Sequence, residues 1–159
     1  MKRIELTHGK SVIVDGADYH WAMQYKWIAF SAPGGHWYVV RYEWKDGSTR
    51  MIFMHRELMG AVSGQQIDHI NRNGLDNRRR NLRFCTTAQN QWNAKKRCDN
   101  KSGYIGVHRN LEGRWVAQIR VNGEKKYLGC FRDAKEAALA YNEAAHRYHG
   151  EFASVNVFE

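Results

Sequence analysis

Apolar and polar positions along this chain fall into short alternating runs broken by turn residues, with one long helical period near its end. Lys10-Ser11-Val12-Ile13-Val14 is β-branched and stops at Asp15-Gly16, which predicts a strand. Trp37 to Trp44 predicts a second strand, Thr49 to Met54 its return, and Asp46-Gly47 between them is a hairpin signal. Between these strands, Asp18 to Trp27 predicts a short helix with Trp21, Tyr25 and Trp27 on its apolar side. Trp21, Trp27, Trp37 and Trp44 are expected to form a small aromatic core, because a module this small needs large side chains to bury enough area. Base stacking is the competing use of these rings.

Cys98 to Gly103 has linker composition. Beyond it, Tyr104 to His108 predicts a short strand. Arg114 to Val121 alternates, with Trp115, Ala117, Ile119 and Val121 on one side and Arg114, Val116, Gln118 and Arg120 on the other. Asn122-Gly123 marks a two-residue hairpin turn, and Lys125 to Phe131 returns. Asp133 is the expected N-cap of a helix over 134–149, whose face is Ala134, Ala137, Ala138, Tyr141, Ala144, Ala145 and Tyr148. Small alanines let this helix lie close on the sheet. The other sheet face, with its Arg and Gln side chains, stays open and suits the DNA major groove.

Composition sharpens this picture. In 159 residues and 18.6 kDa, 43% hydrophobic and 13% aromatic content argues against a disordered polyelectrolyte. The formal charge of +9 and pI near 9.6 favour an anionic partner, nucleic acid first. The excess is +2 over residues 1–50, +6 over 51–101 and +1 over 102–159. The middle run of Arg78, Arg79, Arg80 and Arg83, then Lys95, Lys96 and Arg97, brackets an Asp/His/Asn cluster, so phosphate contact is expected. No apolar run approaches the roughly 18 residues of a membrane span, and the start turns polar at once. A soluble, cytoplasmic protein without a membrane partner is expected. Cys85, Cys98 and Cys130 include no CxxC pair, so buried or half-buried free thiols are expected and no structural zinc.

The chemistry concentrates in Ile67 to Asn90. A strand ending at Asp68-His69, a polar loop, a second strand near Leu82 to Cys85, and a helix capped by Thr87 and carrying Asn90 would fold around one point. Phosphodiester hydrolysis needs a hard Lewis acid, and Asp68 and Asn90 supply oxygen ligands while leaving positions for water and phosphate. A neutral imidazole at His69 can take the proton of the attacking water.

Asp68-His69, Asn81-Leu82-Arg83 and Asn90 together resemble the HNH, or ββα-metal, nuclease family, particularly its phage and intron homing endonucleases. Met54-His55-Arg56-Glu57-Leu58 resembles the family's lead-in. The resemblance implies that Asp68 and Asn90 bind Mg²⁺ or another divalent ion such as Mn²⁺, and that His69 is the general base. It also implies that Asn81 braces the loop and orients the imidazole, and that the cell is bacterial or phage-infected. His55 and Arg83 are candidates for phosphate contact, with a structural or catalytic role open for His55. Asn90 stands where a third His is frequent, so a metal preference read from His-bearing members does not transfer.

Tyr104-Ile105-Gly106-Val107, Gly113 to Arg120, Tyr127 to Phe131, Ala134 to Ala145 and Asn156 resemble the APETALA2/ethylene-response-factor DNA-binding domain. That family reads the major groove with the exposed sheet face. The resemblance implies DNA contacts by Arg109, Arg114, Gln118, Arg120, Lys125 and Tyr127. Gln118, Lys125 and Tyr127 stand where Glu, Arg and Trp are usual, and His108, Asn110 and Glu112 depart further, so the plant target sequence does not carry over.

The sequence therefore predicts an α+β chain in four parts. These are a β-rich N-terminal module (1–50), an HNH nuclease core (51–97), a linker (98–103) and a three-stranded antiparallel sheet packed on one helix (104–159). Its expected function is a site-selective, metal-dependent homing-type endonuclease that nicks one strand of double-stranded DNA per active site, as a monomer or homodimer. The alternative is a non-catalytic DNA-binding regulator with a decayed nuclease module.

Overall fold

The computed structural model describes residues 1–96 and 99–158; Arg97 and Cys98, both named above, and Glu159 lie outside the described residues. The chain packs as two units, Met1–Thr86 and Thr87–Glu159. The described residues form small antiparallel sheets and four α-helices, an α+β architecture.

In the first unit, β1 (Lys2–Glu5) pairs with β2 (Ser11–Val14). Helix α1 (Gly16–Ala22) follows. It stops short of the expected Trp27 because the Trp27 indole Nε1 donates to the Ala22 carbonyl (2.9 Å) and closes the helix end from outside. Strands β3 (Ile28–Ala32), β4 (His36–Lys45) and β5 (Ser48–Phe53) form a meander. Asp46 and Gly47, with φ of 52° and 76°, make the tight turn between β4 and β5. Beyond Val40, β4 pairs with β5 but no longer with β3, so this end of the hairpin stands clear of the core. Trp44 is 71% exposed there, which corrects its assignment to the aromatic core; Trp27, at 5%, does belong to it.

Helix α2 (Met54–Leu58) leads to β6 (Gln66–His69), which pairs with β7 (Leu82–Cys85). One apolar core collects Val12, Val14, Ala22, Trp27, Val39, Met54, Leu58, Ile67 and Leu82. It draws on both sides of position 50, so β6 and β7 rest on side chains supplied by the N-terminal strands.

The second unit begins with α3 (Thr87–Trp92) and continues with β8 (Val107–Arg109), β9 (Trp115–Val121) and β10 (Glu124–Phe131), β9 in the centre. Asn122 and Gly123 both take positive φ in the β9–β10 turn. Helix α4 (Ala134–His149) starts where expected, with the Asp133 carboxylate accepting from the Lys135 and Glu136 amides. It buries Ala137, Ala138, Tyr141, Ala144, Ala145 and also His149, with Ala117 and Ile119 in the cores beneath it.

The strand expected over Tyr104 to His108 is Val107–Arg109 instead. Gly106 at φ 74° interrupts the extended backbone, and Asn156 occupies the backbone of Ile105, accepting from its amide (2.6 Å) and donating to its carbonyl (3.2 Å). Cys85 and Cys130 are half-buried free thiols.

A β-carbon at Gly106 would sit 2.0 Å from the Tyr141 ring and 2.7 Å from the Gln118 carbonyl. Gly106→Ala is therefore expected to lower the unfolding free energy by about 3 kcal/mol, from both overpacking and the strained φ, measured by urea unfolding.

Candidate active site and DNA interface

Strand β6 ends at His69, where Arg72, at φ 61°, donates its amide to the His69 carbonyl (2.7 Å) and turns the chain. Asp68 lies opposite Arg83 and His69 opposite Leu82 in the β6–β7 ladder. Both side chains are buried, Asp68 at 5% and His69 at 6% exposure. Arg83 donates from Nε (3.0 Å) and Nη2 (2.8 Å) to Oδ2 of Asp68. The structure thus places Arg83, a candidate for phosphate contact, against the carboxylate.

The loop between the strands is a polar network. Asn81 Nδ2 donates to the Asp76 carbonyl (2.8 Å) and to Asn71 Oδ1 (2.9 Å), while its Oδ1 accepts from the Asn71 amide (3.0 Å). Asn81 thus ties Asn71 to Asp76 across this loop, while the ring bond described on His69 is made by Asn77. Asp76 accepts from Asn71 Nδ2 (2.8 Å) and Arg78 Nε (2.7 Å), and the guanidinium holds its carboxyl below the ordinary range. The loop is also pinned to β2: Ile13 donates to the Leu75 carbonyl (2.9 Å) and the Asn77 amide to the Ile13 carbonyl (2.8 Å).

Asn77, fully buried, is the residue the sequence reading passed over. Its Nδ2 donates to the Gly74 carbonyl (3.2 Å), which turns its Oδ1 toward His69 Nε2 (3.3 Å). An amide oxygen only accepts, so Nε2 carries the proton and Nδ1 is the basic nitrogen of the ring. Burial pushes the His69 pKa down, opposed by the Asn77 bond and by the charges of Asp68 and Asp76. The ring is neutral near pH 7. No periodicity marks Asn77; its signal is being an amide in a loop whose other polar members bond to one another.

His55, on α2, packs 4.9 Å from His69 between ring centroids, with Phe53 at 5.4 Å and Tyr38 at 5.8 Å. It is 8% exposed, and its Nδ1 has no hydrogen-bond partner among the described residues. Burial first, then His69 and Arg56, lower its pKa to about 3. The structure places it among aromatic rings as a neutral group.

Asn90 is an exposed residue of α3 and belongs to the second unit. No group of three or more His, Cys, Asp or Glu side chains able to hold a metal occurs among the described residues. The donors that the motif provides, a carboxylate and an amide oxygen, fit a hard cation that fills its other positions with water and phosphate.

The sheet of the second unit leaves one face open. Arg120 lies opposite Lys125 and Gln118 opposite Tyr127. Arg114, Arg120, Lys125 and Tyr127 are exposed and Gln118 is half-buried. Arg114 Nη2 reaches the Cys130 carbonyl (3.3 Å). Arg109 differs, because it lies opposite Trp115, donates to the Gly113 carbonyl (2.8 Å) and sets its guanidinium 5.6 Å from the Trp115 ring. The basic run in the first unit is also largely engaged: Arg78 pairs with Asp76, Arg79 with Asp18 and Arg83 with Asp68.

A family model described as HNH endonuclease matches residues 59–92, the span holding Asp68, His69, Asn81 and Asn90. HNH endonuclease L560 of Acanthamoeba polyphaga mimivirus is 31% identical over 134 residues, covering 84% of this chain and 67% of that protein. The chain belongs to the HNH endonuclease family. This HNH protein also resembles plant proteins over a shorter span. Dehydration-responsive element-binding protein 2E of Oryza sativa subsp. japonica is 46% identical over 56 residues, 34% of this chain and 18% of that protein. Ethylene-responsive transcription factor RAP2-11 of Arabidopsis thaliana is 41% identical over 61 residues, 37% of this chain and 24% of that protein. The HNH protein spans less than a quarter of the length of either plant relative.

The buried imidazoles make stability depend on pH. An unfolded imidazole titrates near about pH 6.5, so below that the unfolded chain binds a proton that folded His55 refuses down to about 3. The contribution of His55 to stability is therefore full above about pH 6.5 and falls with acid; it is expected to remove about 2 kcal/mol between pH 7 and pH 5. Urea unfolding at both pH values checks this, and His55→Asn should flatten the dependence by that share.

Proposed function

We propose that this HNH protein is a site-selective, divalent-metal-dependent DNA endonuclease of the homing type that nicks one strand per active site. The observation that carries the reading is His69, a buried neutral imidazole whose tautomer is set by Asn77, next in sequence to the carboxylate of Asp68 and inside the segment that matches the HNH family. In this reading His69 Nδ1 takes a proton from the water that attacks the scissile phosphate. The new phosphorus–oxygen bond forms as the bond to the leaving sugar oxygen breaks. Asp68 and Asn90 would hold Mg²⁺ or Mn²⁺, and the ion would offset charge on the phosphate and the leaving oxygen. Arg83 fixes the Asp68 carboxylate, and Asn81 holds the loop that carries Asn77.

Residues 51–97 are the proposed nuclease part and 104–159 the DNA-binding part, joined by 98–103, with 1–50 as support. The similarity to plant element-binding proteins supports duplex DNA as partner. Arg114, Gln118, Arg120, Lys125 and Tyr127 on the open face supply phosphate and base contacts. A monomer nicks; a homodimer or a second visit completes a double-strand break.

Supercoiled plasmid with Mg²⁺ tests the chemistry. Wild type is expected to relax it and EDTA to stop it, while His69→Ala loses about 100-fold in rate and keeps duplex binding. Equal nicking by wild type and His69→Ala would remove His69 from the reaction, and no metal-dependent nicking by either would leave a DNA-binding regulator. In gel-shift titrations against a selected target, Arg120→Ala is expected to weaken binding by about 1–3 kcal/mol. Unchanged affinity would refute the open sheet face as the DNA contact.

A further inference from the structure

Helix α3 has six residues, none of them buried. A helix this short does not hold itself in water, so its position comes from what it touches. Trp92 at its last position lies flat on His149, ring centroids 4.3 Å apart and planes within 8°. The helix also packs against the 3-10 turn Gly150–Phe152, whose Phe152 is 6% exposed. Immediately after α3, Asn93 is 7% exposed, and Lys96 Nζ donates to the Gly103 carbonyl (2.8 Å), tying the chain back toward β8.

His149 is itself fixed. It is 6% exposed, and its Nε2 donates to the Arg120 carbonyl of β9 (2.9 Å). Its Nδ1 has no partner among the described residues, an unfavourable state for a buried nitrogen. An apolar side chain would fill the same space without that orphan, but it would lose the bond to the strand. The ring thus does two things at once: it grips the backbone of a strand whose Arg120 side chain lies on the open face, and it offers a flat surface to Trp92. Residues two apart on a helix are separated by about 200° around its axis. With Trp92 held inward, Asn90 is turned outward, and it is exposed.

We propose that the Trp92–His149 stack is the joint through which the DNA-binding sheet sets the orientation of Asn90, so that Trp92 and His149 are positioning residues for metal binding. This rests on Asn90 being a metal ligand, the reading given above. Neither side chain touches the metal or the DNA; both act through α3.

The test is a titration of the full chain with Mn²⁺ followed by electron paramagnetic resonance, beside binding of a fluorescent random-sequence duplex in EDTA. Trp92→Ala is expected to bind Mn²⁺ about tenfold more weakly, the scale seen when the support behind a ligand is removed, with duplex affinity unchanged, and His149→Leu is expected to show the same loss of Mn²⁺ affinity. Trp92→Phe, which keeps a flat ring, is expected to stay at wild type. Wild-type Mn²⁺ affinity in Trp92→Ala, when Asn90→Ala has lost it, overturns the joint alone. Wild-type Mn²⁺ affinity in Asn90→Ala overturns the ligand assignment and the joint with it. Loss of duplex binding in Trp92→Ala would make the stack a general prop of the module and also overturn the proposal.

Discussion

Holding an imidazole out of water, neutral, with one chosen nitrogen basic, is the constraint on which the first unit is built. Burial alone keeps His69 unprotonated but leaves its tautomer open. Asn77 closes that choice, and only because its own amide group is already used by Gly74. Asn77 in turn is held by the Ile13 carbonyl. The chain of dependence therefore runs from a backbone group of β2 to the proton on a ring in β6. The N-terminal segment is part of the site: Ile13 bonds both Leu75 and Asn77, and the Asp15 carboxylate accepts from the Arg79 amide (2.8 Å). The shared core around Val12, Val14, Ile67 and Leu82 says the same in apolar terms.

What the sequence revealed follows from how local each signal was. Strand β7 and helix α4 lie where the pattern put them, because strand alternation, an Asp N-cap and a helical alanine face are written within a few neighbouring residues. The Asp68-His69 strand end was legible because two adjacent functional groups point to opposite faces of a continuing strand. Strands β1 and β3 and helix α2 were not foreseen. Their short spans carry little periodicity, and their places are set by partners far along the chain. Trp27 shows the limit well. Its apolar ring suggested a helix face, while its indole N–H, capping Ala22 from five residues away, decided the structure. Asn77 and His149 were illegible for the same reason, since each matters through a bond to a backbone carbonyl or a ring that only the folded chain brings near.

Charge is the other place where the fold changes the reading. The basic run of the middle segment was expected to contact phosphate, yet Arg78, Arg79 and Arg83 each close on a carboxylate of their own unit. These pairs organise the polar loop and hold Asp68, so the same arginines that raise the net charge contribute less free positive charge than their number suggests. Long-range attraction to DNA scales with unpaired cations near the backbone, not with composition. The open face of the β8–β10 sheet keeps Arg120 and Lys125 exposed and opposite one another. On the function proposed above, a nuclease site whose arginines close on its own carboxylates would take its hold on a duplex from another surface, and the exposed cations of the sheet would supply it. On that reading, covalent linkage on one chain would raise the local concentration of DNA at the first surface by means of the second, without further affinity from the loop.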